Sequence, residues 1–137
     1  MRLFLSALFA VALGYGTWVY FNPGPSSAEL AYKAAGPSVN AEILDEVQVR
    51  GRRTFNAICA DCHGRDAMGG DSGPPLIHKI YEPSHHGDGS FYVAAARGVT
   101  AHHWKFGDMP PQPGVTQAQV GEIISFVRAV QRQNGIM

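Results

Sequence analysis

The sequence predicts an all-α domain with long loops, placed behind one apolar N-terminal segment. Three observations carry this. Two stretches repeat apolar residues at spacings of three and four, a third fits a short capped helix, and none alternates apolar and polar as a half-buried strand does. Sixteen Gly and nine Pro in 137 residues put much of the remainder in turns and loops. Leu3 to Phe21 contains no charged residue. The length suits one domain and not comfortably two. Lys plus Arg and Asp plus Glu number 11 each, so the basic excess of a nucleic-acid binder is missing.

The segment LFLSALFAVALGYGTWVYF, residues 3–21, is 19 residues long, and a membrane-spanning helix needs about 20. Arg2 alone precedes it, which keeps the N-terminus in the cytoplasm and sends the rest across. Trp18, Tyr20 and Phe21 crowd its far end, where aromatic belts sit. A cleaved signal peptide is the alternative, with Ser26-Ser27-Ala28 as the cleavage site. A signal core of about 7–15 residues is shorter than this run, which favours an uncleaved anchor over residues 1–21. Residues 22–40 are rich in Pro, Gly, Ser and Ala and read as a flexible linker. Such a chain spans on the order of 25 Å. The domain proper then runs over residues 41–137.

The first helix is expected to start near Asn40 or Ala41, with Glu42 in its first turn, where the helix dipole favours an acid. Its apolar face is Leu44, Val47, Gly51, Phe55 and Ile58. Gly51 costs about 1 kcal/mol relative to Ala, and its place on the apolar face predicts a close helix crossing. Residues 64–89 read as loop. A short helix fits SFYVAAARGV, with Asp88 or Ser90 as cap and Gly98 near its end. Residues 99–115 are loop again. The last helix opens at Thr116 with Gln119 three residues on, a capping box. Val120, Ile123, Ile124, Val127 and Val130 form its stripe, flanked by Phe126, and Gly135 closes it. Helices cover roughly half of such a small domain, which then needs a staple or a cofactor to complete a core.

Both cysteines fall in CADCH, Cys59 to His63. A thioredoxin-like redox pair belongs beside a strand–helix unit, and no sheet is predicted. A structural zinc site wants four ligands, and there is no second Cys pair. His85-His86 and His102-His103 are adjacent pairs, poorly spaced to chelate one tetrahedral ion. They read as loop residues, with a second metal such as copper, or a histidine in place of a methionine ligand, as the lesser alternatives. Cys-x-x-Cys-His is the signature of covalent haem attachment: Cys59 and Cys62 add to the vinyl groups and His63 ligates the iron. A second axial ligand is expected from Met109. Met68 is too near His63 in sequence to reach the other face, whereas Met109 lies on a loop stiffened by Pro110, Pro111 and Pro113. Arg50, Arg52 and Arg53, with Asp61, Asp66 and Asp71, read as a solvated face of mixed sign.

With these elements in order, residues 41–137 resemble a class I c-type cytochrome, of the membrane-anchored bacterial type. Gly51 and Phe55 stand eight and four residues before Cys59, where that family carries a glycine and an aromatic. The resemblance implies that the first and last helices cross around one covalent haem c, with Phe126 and Ile123 at the contact. Gly73-Pro74-Pro75-Leu76 matches a family element whose proline carbonyl accepts the proximal histidine's N–H, which makes Pro74 a cofactor-supporting residue. Met109-Pro110 matches the distal ligand. Trp104 resembles the family's propionate-binding tryptophan, with core packing an equal reading, and Arg97 or Lys105 are lesser candidates for a propionate partner.

The function this implies is single-electron transfer by a haem protein that is not an enzyme. It would relay electrons between membrane respiratory or redox complexes on the periplasmic side. Its expected partner is a quinol-oxidising complex, a terminal oxidase or a membrane dehydrogenase. The expected location is the cytoplasmic membrane, or the periplasm if the segment is cleaved. A haem enzyme or gas sensor with an open distal site is the alternative should Met109 not ligate.

Overall fold

The computed structural model describes residues 36–137. The expected anchor at 1–21, and the linker up to residue 35, lie outside the described residues. Among the described residues no helix is long and apolar enough to cross a membrane.

The helices are α1 (Glu46–Ile58), the single-turn α2 (Ala60–His63), α3 (Asp88–Arg97) and α4 (Gln117–Gln133). Short 3-10 turns stand at Ala41–Ile43, Arg65–Ala67 and Lys79–Tyr81. The all-α expectation holds. The described residues contain no strand, only an isolated antiparallel bridge between Val99 and Met109.

Helix α1 starts later than its periodicity suggests. Asn40 caps only the Ala41–Ile43 turn, Leu44 is extended, and Asp45 then starts the helix. Asp45 accepts from the Gln48 N–H while the Gln48 side chain accepts from the Asp45 N–H, a reciprocal capping box. The apolar face is also narrower than predicted. Gly51 and Phe55 are buried, but Val47 and Ile58 are exposed.

Helix α4 begins as expected, with Thr116 and Gln119 capping each other. Its stripe is buried: Val120, Ile123, Ile124, Phe126, Val127 and Val130. Gly135, at φ +71°, follows its C-terminus. Helix α3 takes Gly87 as its N-cap and carries Asp88 in its first turn, so Asp88 and Ser90 are not the cap. Gly98 closes it, as predicted.

Helix α1 packs along α4, and α3 packs on α4 beside it. Gly51 makes the first crossing possible. A Cβ there would stand 1.9 Å from the Glu122 carbonyl oxygen. Phe55 and Phe126 meet at this crossing, with ring centroids 6.0 Å apart. Ala67, Ile77, Ile123, Val127 and Val130 complete the core.

The compact unit runs from Pro37 to Met137, four residues further back than the expected boundary at 41. Residues 38–40 are tied to the end of α4. Ser38 N–H donates to Asn134 Oδ1 at 3.0 Å, and Asn40 N–H donates to Gln133 Oε1 at 2.9 Å. Val39 packs against the core.

Candidate functional site

The CADCH turn grows directly out of α1. Cys59 ends that helix and starts α2, and Gly64 stops it. His63 N–H bonds back to the Cys59 carbonyl at 2.9 Å. This puts Cys59 and His63 four residues apart on one helical face.

After Gly64, which adopts φ +72°, the chain reverses through the Arg65–Ala67 turn. Gly69 N–H donates to the His63 carbonyl, and the Leu76 and Ile77 N–H groups both donate to the Ala67 carbonyl. The reversal carries Pro74 back to the histidine. His63 Nδ1 lies 2.9 Å from the Pro74 carbonyl oxygen. A carbonyl only accepts, so the proton sits on Nδ1 and the Nε2 lone pair is free for a metal.

The reversal is fixed by a knot that reading charges along the sequence did not reveal. Asp66 and Ala67 both have positive φ, 59° and 67°. The Asp66 carboxylate takes two bonds from Arg52, at 2.7 and 2.8 Å, and one from Asn56 at 2.7 Å. Its own N–H donates to Asn56 Oδ1. The Arg52 bonds foremost, helped by Asn56, hold the Asp66 carboxyl below the usual carboxylate range, against the opposing effect of burial. Arg50 pairs instead with Glu122, at 2.7 Å. Two arginines expected on a solvated face therefore have specific partners.

Cys59, His63 and Pro74 line one cavity of about 520 Å³, and Met109 lines it too. Cys62 is exposed and is not part of the cavity wall. Met68 packs against the core and does not line the cavity. The remaining wall is largely apolar, with Phe55, Leu76, Phe91, Val99, Val120 and Ile123. Met109 is anchored by its backbone. Its N–H donates to the Val99 carbonyl at 2.9 Å, and Val99 N–H returns the bond at 3.0 Å. Pairing two short segments 10 residues apart is weak local information, and the bridge was not predicted.

Three features test whether these residues suit a covalent haem. The cavity is large and mostly apolar, and its wall holds His63 and Met109, with His86, His102 and His103 also on it. The Cys59 thiol is pushed up to about 11, chiefly by burial and further by Cys62. A thiol-redox catalyst needs a depressed value, because the thiolate is its nucleophile. Finally, Trp104 Nε1 is buried and meets no hydrogen-bond partner among the described residues. It stands near the Tyr81 phenol without meeting hydrogen-bond geometry, and burial raises that phenol's pKa. Both side chains line the cavity. An orphaned donor in that wall suits a ligand carboxylate, and haem carries two. The residues fit the group. Arg97 and Lys105 do not line the cavity.

Helix α4 contributes a second buried polar unit. Arg128, only 7 % exposed, donates to Asp88, to the Tyr81 and His86 carbonyls, and to Gln131 Oε1. Its guanidinium lies 5.0 Å from the Phe91 ring centroid. Gln131 donates to the Leu76 and Tyr81 carbonyls. Together they fasten the 76–88 loop to α4. The signal in the sequence is that Arg128 and Gln131 fall on the apolar stripe, at helical spacing from Ile124.

A family model for cytochrome c matches residues 48–131. No curated protein and no solved structure matches the chain.

Proposed function

This chain belongs to the cytochrome c family and so carries covalently attached haem c, and from that premise we propose that it is a membrane-anchored single-electron carrier. The observation that supports it most is the shared cavity wall. Cys59, His63 and Met109 line one apolar cavity, and the His63 ring is held by the Pro74 carbonyl.

Bound haem supplies a one-electron couple, iron passing between its ferric and ferrous states. The chain's residues set the conditions for that couple. In this reading Cys59 and Cys62 hold the group as thioethers, and His63 offers Nε2 to the iron. The bond from Nδ1–H to Pro74 fixes the ring and raises its basicity. Met109 offers its thioether from a backbone position already pinned to Val99. Keeping both ligands in both oxidation states minimises reorganisation, and a Met/His pair raises the potential. The apolar wall adds to this by penalising the extra charge of ferric iron. Trp104 and Tyr81 present polar atoms to a propionate. No residue is assigned a substrate.

In this reading the uncharged run at residues 3–21 is an anchor, and the short linker after it supports a position beside a membrane on the periplasmic side. The partner is then another membrane complex, a quinol-oxidising complex, terminal oxidase or dehydrogenase, met through a small and transient interface.

The test is spectroscopic. The ferric protein is expected to show the weak red charge-transfer band of methionine-ligated haem, and the ferrous protein is expected not to bind carbon monoxide readily. Met109→Ala removes the band and opens the site to carbon monoxide. A parent protein that lacks the band and takes up carbon monoxide contradicts the carrier reading and favours an open distal site.

A further inference from the structure

Four of the chain's six histidines gather in one patch. Each adjacent pair is poorly spaced for chelation by itself. The fold instead brings the pairs together from the two loops that flank α3. The His103 ring centroid lies 5.2 Å from both His85 and His86, and His85 and His86 are 4.7 Å apart. One nitrogen from each of His85, His86 and His103 falls within 4.8 Å of the others. We propose that these three side chains form a binding site for a divalent transition-metal ion, Zn²⁺ or Cu²⁺, separate from the haem iron.

The geometry suits such an ion. Zinc–imidazole bonds of about 2.0–2.1 Å at tetrahedral angles separate the ligand nitrogens by roughly 3.3–3.4 Å. His85 Nε2 and His103 Nε2 already stand 3.3 Å apart. His86 Nδ1 lies 2.7 Å from the Ile80 carbonyl oxygen, which fixes the proton on Nδ1 and leaves Nε2 as the donor. A backbone carbonyl behind the ring is the usual orienting contact of a metal-bound histidine. The loop beneath is rigidly held, because buried Arg128 donates to the His86 carbonyl and to Asp88. His102, its ring centroid 4.3 Å from His103 and 6.0 Å from His86, is a fourth imidazole in the same patch. An all-imidazole set selects zinc and copper over magnesium and calcium. His86, His102 and His103 also line the large cavity, whereas His85 does not. A metal here would tie the loop bearing His85 and His86 to the loop that leads into Met109.

The experiment uses tag-free, haem-loaded full-length protein, in which both cysteines are thioethers and cannot bind the added metal. Titration with ZnSO₄ by calorimetry is expected to show one ion per chain. His85→Ala and His103→Ala are each expected to weaken it by about 100-fold, and His85→Ala, which lies outside the cavity wall, leaves the haem spectrum unchanged. Cu²⁺ is expected to bind more tightly and to show nitrogen superhyperfine splitting in its EPR spectrum. The proposal is overturned by absent uptake, or by uptake that both variants leave intact. It is equally overturned by zinc that changes the haem's axial-ligand spectrum, since the rings then belong to the haem. Because the readout is metal uptake, the result is independent of whether the haem carries electrons.

Discussion

Replacing Gly51 by alanine puts two opposing effects on one position. Alanine gains about 1 kcal/mol of helix propensity over glycine. Its methyl carbon, however, would sit 1.9 Å from the Glu122 carbonyl oxygen and 2.4 Å from the carbonyl carbon. Ordinary contact needs roughly 1.5 Å more. The obstacle is backbone inside α4, so no side chain can swing aside, and α1 and α4 must part. Phe55, Phe126 and Val127 fill that crossing with essentially no exposure. A gap of about 0.5–1 Å already forfeits a quarter to a half of each dispersion contact. Overpacking costs about 1–3 kcal/mol, occasionally more, and a backbone clash belongs at the upper end. The net expectation is a loss of about 2 kcal/mol. With a urea dependence of about 1–2 kcal/mol per molar, the unfolding midpoint falls by about 1–2 M. Gly121→Ala on α4 is the control. Its methyl would lie 3.0 Å from the Tyr92 hydroxyl, the end of a half-exposed side chain that can move. That variant is expected to be neutral or slightly stabilised. A Gly51→Ala protein as stable as its parent, with Gly121→Ala behaving as expected, would refute the close crossing.

Asp66→Ala removes three side-chain bonds and leaves alanine at φ 59°, so a loss of about 2–3 kcal/mol is expected in urea unfolding. The same carboxylate predicts an acid limb. Its folded pKa is lowered, so its contribution is present above the unfolded value of about 3.9 and is lost as pH falls through the folded value. Unfolding followed from pH 6 to pH 2 should show that loss in the parent and a shallower one in Asp66→Ala. Arg128→Met keeps apolar volume but orphans Gln131 Oε1 and the His86 carbonyl, at about 1–3 kcal/mol for each buried group. Asp88 is mostly exposed and is not stranded as a buried charge. Thermal unfolding should therefore register a loss of about 2–6 kcal/mol, arising from the two stranded acceptors and not from an unpaired buried carboxylate.

What was legible in the sequence was local or periodic. Thr116 with Gln119 marked the start of α4, and the stripe from Val120 to Val130 marked its buried face. Gly51 and Phe55 were legible from the apolar face they share, and their offsets to Cys59 through the likeness to the family's pattern. The start of α1 was misplaced because Asn40 is also a good cap. The competing signal, Asp45 with Gln48, is itself a capping box and wins because both halves bond. Arg52 with Asp66, and Arg128 with Asp88, were not legible. Their partners lie 14 and 40 residues away, and a charge pattern says nothing about which turn returns to which helix. The same holds for His85, His86 and His103, which become neighbours only because α3 carries the chain out and back. Pro74 is intermediate. Its likeness to a family element named it, but the distance to His63 depends on a left-handed turn at Asp66 and Ala67.

Intact mass of the native protein under denaturing conditions tests the central claim most directly. One haem covalently held by this chain predicts the polypeptide mass plus a single haem, with peptide fragmentation locating both attachments at Cys59 and Cys62. The mass of the bare polypeptide, from cells that mature c-type haem proteins, would contradict it.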